Sequence, residues 1–106
     1  MAGQSDSGFD IEALDEVIHG RVRLGIMAFL ASAGDAEFTT LKSRLQLTDG
    51  NLSVHLRKLE EAGYVEVEKR FVGKKPQTRV AISRSGRAAF LNYLKAMQTL
   101  VEGGAA

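Results

Sequence analysis

The sequence predicts a mainly α-helical domain with a small β-hairpin, an α+β fold in the order α-α-(β)-α-α-β-β-α, and three observations carry that prediction. Residues 48–64 place Leu52, Leu56 and Leu59 at i, i+4 and i+7, between a capping threonine and a glycine stop. Just before them, Leu41 and Leu45 mark a shorter helix, and only Gln46-Leu47-Thr48 separates the two, which is helix-turn-helix spacing. Just after them, Val65 and Val67, then Thr78, Val80 and Ile82, alternate with polar residues on either side of a cationic stretch that holds the only proline, the pattern of a hairpin.

Taken in order, residues 1–8 carry no basic residue and no apolar run and read as a disordered tail before a domain at 9–102; residues 103–106 read as a second tail. Ile11, Leu14, Val17 and Ile18 predict a first helix of about two to three turns, capped by Asp10 and ending near His19-Gly20. A second helix at 21–32 is apolar nearly all round and therefore belongs at the centre of the fold, with Gly34 as its stop. Asp35-Ala36-Glu37 is expected to be a link, Phe38 a strand of one or two residues, and Thr39 the cap of the third helix. In the fourth, Thr48 caps, Asp49 suits the positive end of the dipole, and Gly63 at C′ pairs Leu59 with Tyr64 in a Schellman ending. The hairpin loop is predicted as Lys69-Arg70-Phe71-Val72-Gly73-Lys74-Lys75-Pro76, with four cations and no carboxylate. Ser83 caps a last helix at 84–102. Its Phe90, Leu91, Tyr93, Leu94, Met97, Leu100 and Val101 cover more than the roughly 100° stripe that one core needs, so the surplus face calls for a partner.

At 106 residues the chain makes one domain able to bury a real core. Zero cysteines exclude a disulfide framework, a thiolate metal site and a cysteine nucleophile, and fit a reducing, cytoplasmic setting. No signal peptide or membrane span is expected, since the longest apolar run, residues 26–31, is far too short. The net charge of +1 hides an uneven distribution. Residues 42–79 hold nine Lys/Arg against five Asp/Glu, and the rest of the chain is acidic. A basic middle with acidic flanks is the footprint of a surface that faces nucleic acid.

The side chains opposite the leucine stripe suit that partner. Asn51 can bond an adenine edge, Arg57 can reach guanine or phosphate, Val54 can meet a thymine methyl, and Gly50 lets the backbone approach closely. Thr48, Ser53, His55 and Lys58 flank this face. Lys42 and Arg44 on the preceding helix, and Lys69, Arg70, Lys74, Lys75 and Arg79 on the hairpin, are cations for phosphates that set affinity more than sequence preference. His55 has no partner nucleophile, and His19 with Asp15 supplies two ligands, which do not make a metal site. Neither a catalytic constellation nor a cofactor motif can be assembled, so the protein is not expected to be an enzyme.

Three segments resemble the winged-helix regulators near the ArsR and MarR families: Val22-Arg23-Leu24-Gly25-Ile26-Met27, the run from Leu52 to Val65 with its Ser-x-His-Leu core, and Pro76-Gln77-Thr78-Arg79-Val80. The resemblance covers residues 11–102 and is greatest to short one-domain members in which Gly50-Asn51-Leu52-Ser53 opens the recognition helix. It implies a winged helix-turn-helix fold and a homodimeric, sequence-specific regulator of transcription that binds double-stranded DNA. By the same resemblance the dimer uses the first and last helices, hence Ile11, Leu14, Phe90, Tyr93, Leu94, Met97, Leu100 and Val101. The cysteine pair of the metal-sensing ArsR pattern is absent, and the chain is shorter than typical MarR proteins, so no effector is assigned. The alternative is a winged helix that docks on another protein through its last helix, with Glu60, Glu61, Glu66 and Glu68 beside the recognition helix repelling phosphate.

Overall fold

The computed structural model describes residues 9–103, so the expected tails, apart from Gly103, lie outside the described residues. A 3₁₀ turn at Ile11–Ala13 leads through an irregular stretch into α1 (Arg21–Ala33), β1 (Asp35–Glu37), α2 (Phe38–Leu45), α3 (Asp49–Glu61), β2 (Val65–Val72), β3 (Lys75–Ile82) and α4 (Arg84–Val101). The three strands form an antiparallel sheet in the order β1-β3-β2. With its four helices this is the winged-helix arrangement expected from the sequence.

Helix α1 is central, as its apolar circumference requires. Its Ile26, Met27 and Leu30 are fully buried with Leu41 of α2, Leu52 and Leu59 of α3, and Val65 and Val80 of the sheet. Leu56, Phe90 and Tyr93 complete the core. Burying a side chain of this size contributes about 1.5–3 kcal/mol, so the leucine stripe is what fixes the rotation of α3 about its axis.

Three local expectations need correction. The first helix, expected from Ile11 to Ile18, is only the 3₁₀ turn. Asp10 caps it by accepting from the Glu12 amide at 3.0 Å, and Leu14 then turns extended at ψ 120°. Asp15 ends any continuation, because its Oδ1 accepts from the amides of Val17 at 2.8 Å and Ile18 at 3.2 Å. A short acidic side chain that captures nearby donors competes with helix propagation. The apolar spacing there still places Ile18 in the core.

The small strand lies at Asp35–Glu37 rather than at Phe38, and Phe38 opens α2, so Thr39 is inside the helix and does not cap it. Buried Ala36 pairs with Val80, and Asp35 forms an ion pair with Arg79 at 3.1 Å, so a stretch with weak strand propensity is held extended by what lies opposite. The hairpin strands also run further than expected. Val72 pairs with Lys75, leaving Gly73-Lys74 as a two-residue turn, and Lys69, Arg70 and Lys75 lie in strands.

The exit of α3 is the tightest junction of the fold. Gly63, at φ 81°, takes the left-handed conformation of a helix stop. The Tyr64 amide donates to Leu59 at 2.9 Å and the Gly63 amide to Glu60 at 2.9 Å, the two bonds of a Schellman motif. The start of α4 docks on the same two residues. The Gly63 carbonyl accepts from the Ser83 hydroxyl at 2.5 Å and the Ser85 hydroxyl at 2.8 Å, and the Ser83 amide donates to the Tyr64 carbonyl at 3.0 Å. Ser83 also caps α4 by accepting from the Gly86 amide at 2.9 Å. Gly86 sits so close that a Cβ there would collide with the Tyr64 carbonyl oxygen and lie 2.8 Å from its carbon.

Gly86→Ala is therefore expected to destabilise the domain by about 3 kcal/mol, the upper end of overpacking costs, because the obstacle is backbone. Ser85→Ala, which leaves one hydroxyl on Gly63, should cost about 1 kcal/mol or less. Urea unfolding of both variants measures the difference; equal stabilities would mean that α4 does not rest on Tyr64 as described.

Candidate nucleic-acid interface

With Leu52, Leu56 and Leu59 buried, α3 presents Gly50, Asn51, Ser53, Val54, Arg57 and Lys58 to solvent. Val54 keeps 51% of its surface exposed. Thr48 accepts from the Asn51 amide at 3.1 Å, so its hydroxyl is occupied by capping. Gly50 has open space around it, and the Asn51 side chain makes no hydrogen bond to a described residue. Arg57, Lys58, Lys69, Lys74 and Lys75 enter no ion pair with any described residue.

The hairpin stands beside the Ser53 side of α3. Ser53, Leu56, Arg57 and Glu60 of α3 line an open crevice with Phe38, Val67, Lys69 and Thr78. Strand alternation sorts the hairpin charges. Lys69 shares the crevice-facing side with Val67 and Thr78. Glu66, Glu68, Arg70, Gln77 and Arg79 occupy the opposite side, with Asp35 and Glu37 of β1.

The expected site residues accordingly separate into groups. Arg57 and Lys69 lie on the crevice side with the polar face of α3, Lys74 lies in the turn, and Lys75, paired with Val72, falls on the outer side of the hairpin at its tip. Arg70 is tied to Gln77 at 3.1 Å and lies 3.8 Å from Glu68, on the outer side of the hairpin. Arg79 is not brought to the crevice side, because Asp35 holds it on the outer face opposite Glu68 and Glu37. Lys42 bridges to Asp49 at 2.9 Å at the entrance of α3, and the Arg44 guanidinium lies 5.2 Å from the Phe29 ring centroid, over α1. Glu66 and Glu68 point away from the crevice, whereas Glu60 and Glu61 sit near the end of α3.

His55 lies on the other flank of α3, half-buried, with its Nδ1 3.0 Å from Arg23 Nη1. Arg23 is itself fixed, since its Nε donates to the Val17 carbonyl at 2.5 Å. An arginine can only donate, so Nδ1 accepts and the imidazole hydrogen belongs on Nε2. Burial, then the charge of Arg23, then that of Lys58, lowers the His55 pKa below the ordinary 6.5. Arg23 was not legible as part of this surface, because only folding brings α1 to within reach of α3. Asp15 and Tyr64 form a second such tie, with the Tyr64 hydroxyl donating to Asp15 Oδ2 at 2.5 Å. That hydrogen bond, burial and the carboxylate charge push the Tyr64 phenol up to about 12.

The matched family model is described as a winged helix DNA-binding domain and spans residues 22–101. The chain belongs to this family. An uncharacterised protein of Methanocaldococcus jannaschii is 43% identical over 79 residues, covering 74% of this chain and 86% of its own. The structure of a transcriptional regulator homologue from Pyrococcus horikoshii OT3 superposes with a TM-score of 0.79 at 33% identity, covering 87% of this chain and 91% of that one. A DNA-bound structure of overoxidised AbfR shares the fold, with a TM-score of 0.72 at 17% identity over 88% of this chain and 67% of its own. The expected likeness to winged-helix regulators therefore holds. Among the described residues no helix is long and apolar enough to cross a membrane.

Because a lowered folded-state pKa favours neutral His55, its contribution to stability is present above pH 6.5 and is lost as pH falls through the folded value. An NMR titration of the His55 ring should give a midpoint below 6.5 that moves upward in Arg23→Gln. A midpoint unchanged by that substitution would show that Arg23 does not set the ionisation of His55.

Proposed function

We propose that this protein is a homodimeric, sequence-specific regulator of transcription in which α3 enters the major groove and the hairpin lies on the adjacent backbone or groove. The observation that carries the reading is the composition of the exposed α3 face. Asn51, Val54 and Arg57 provide a bidentate amide, an apolar contact and a guanidinium on a surface whose other side is fixed by buried leucines. Lys69, Lys74 and Lys75 supply phosphate contacts beside it, and Lys42 adds one at the helix entrance. AbfR, which shares the fold and is seen bound to DNA, supports DNA as the partner.

The dimer reading rests on α4. Phe90 and Tyr93 are buried in the monomer core, so they support the interface from beneath. Leu91, Leu94 and Val101 are exposed on α4, with half-buried Met97 and Leu100 among them and exposed Ile11 and half-buried Leu14 on the N-terminal stretch. An apolar surface of this kind on a small domain marks an association site. A twofold pair then presents two α3 helices to half-sites about 34–36 Å apart.

Selection from random duplex DNA followed by footprinting tests the reading. A roughly palindromic site is expected. Arg57→Ala should weaken binding by about 1–3 kcal/mol and relax preference at one position. Lys74→Ala with Lys75→Ala should weaken binding on all sequences and reduce the salt slope by roughly two. Variants that bind like the parent at the same salt would refute the assignment of these residues. Sedimentation is the separate check on the dimer: Leu91→Glu with Leu94→Glu should shift a dimeric parent to monomer, and a parent already monomeric at tens of micromolar would remove the interface.

A further inference from the structure

The hairpin tip carries two large apolar side chains that neither the core nor a phosphate contact explains. Phe71 is 72% exposed and Val72 55% exposed, in the last pairs before the turn. Phe71 pairs in register with Pro76, one step beyond Lys69 and Thr78 on the same side of the hairpin. That side lines the crevice with Ser53 and Arg57 of α3, so the Phe71–Pro76 pair is the outward continuation of the surface assigned to DNA. Lys69, Arg70, Lys74 and Lys75 bracket it, and no carboxylate side chain occurs between Glu68 and Glu102.

An apolar pad ringed by cations fits a partner that is polyanionic at its edge and apolar between the charges. Duplex DNA has this character along the minor groove, where deoxyribose faces form the walls between two phosphate ridges. Apolar wedges placed beside basic residues are used in that groove. The geometry points to Phe71, backed by Pro76, as a residue that packs on the deoxyribose wall of the minor groove flanking the site read by α3. This inference rests on the DNA reading proposed above. Phe71 then contributes affinity without displacing counterions, which sets it apart from the lysines around it.

The test uses the full chain, the duplex recovered with the parent by selection, and two variants. Phe71→Thr keeps strand propensity and removes the apolar surface, and Phe71→Leu keeps the apolar surface without the ring. Phe71→Thr is expected to bind about tenfold more weakly with an unchanged salt slope. It should lose hydroxyl-radical protection of the sugars flanking each half-site while guanine N7 protection from dimethyl sulfate persists in the major groove. Phe71→Leu should bind within about fourfold of the parent, by the size of one buried methylene. Phe71→Thr binding and protecting like the parent would overturn the proposal. So would a fall in salt slope, which assigns the loss to displaced cations, or a Phe71→Leu variant as weak as Phe71→Thr. Parent binding to anionic phospholipid vesicles that Phe71→Thr abolishes, with duplex affinity untouched, would give the tip to a lipid surface and also overturn it. If the parent recovers no duplex, the DNA reading itself fails, a result separate from any variant.

Discussion

The path of the chain out of α3 depends on the backbone contact between Gly86 and Tyr64. The leucine stripe fixes how α3 is rotated, but it does not fix how the chain leaves the helix. The Schellman bonds to Leu59 and Glu60 do that, and the first turn of α4 then closes on the Gly63 and Tyr64 carbonyls with two serine hydroxyls and one amide. Only a residue without a Cβ allows α4 to lie so close. Because β2 starts at Val65 and α4 starts at Arg84, both the hairpin and the long helix take their direction from this one junction.

A modest net charge can still make a directional surface when strand alternation separates the signs. The sheet gathers Asp35, Glu37, Glu66 and Glu68 on its outer side, where they neutralise Arg79 and partly neutralise Arg70. Lys69 is left on the α3 side, and Lys74 and Lys75 at the tip, with no ion pair to a described residue. The sheet carboxylates are thereby turned from the α3 side, while Glu60 stays at the crevice. Of residues 42–79 the outer face takes Glu66 and Glu68 together with Arg70 and Arg79, so the +4 excess stays with the rest of that segment.

The parts of this arrangement visible in sequence are those governed by local rules. Thr48, the leucine spacing and Gly63 define α3 from cap to stop, and Ser83 sets the start of α4, since caps and periodicity act over a few residues. The absence of a first helix is not legible, because the apolar spacing there is real while Asp15 diverts the backbone donors to its side chain. β1 was misplaced because Asp35-Ala36-Glu37 has no strand propensity of its own and is extended only by pairing with β3, more than forty residues away. Arg79 looked like a wing cation because a cation count carries no face; the register with Glu68 and Glu37 supplies it. Phe71 had a signal, an aromatic inside a cationic run, that strand prediction alone treated as loop.

The irregular stretch before α1 carries more of the site than its lack of regular structure implies. Asp15 takes the Tyr64 hydroxyl at the exit of α3, Val17 anchors Arg23 against His55 on the flank of α3, and His19 Nδ1 lies 2.7 Å from the Tyr93 hydroxyl of α4. A charge-assisted bond such as Tyr64 to Asp15 contributes roughly 1.5–3 kcal/mol, enough to matter in a domain with a total stability of about 5–15 kcal/mol. A helix in this stretch would have used the Val17 carbonyl as an acceptor within itself. Leaving the stretch non-helical frees the Val17 carbonyl and the Asp15 carboxylate to bind α1 and α3, so the segment adjoining the apolar side of α4 is also the segment that braces α3. In the twofold pair proposed above, the separation of the two α3 helices would be set by these short polar contacts as well as by the apolar face of α4, and the polar contacts are the more directional of the two.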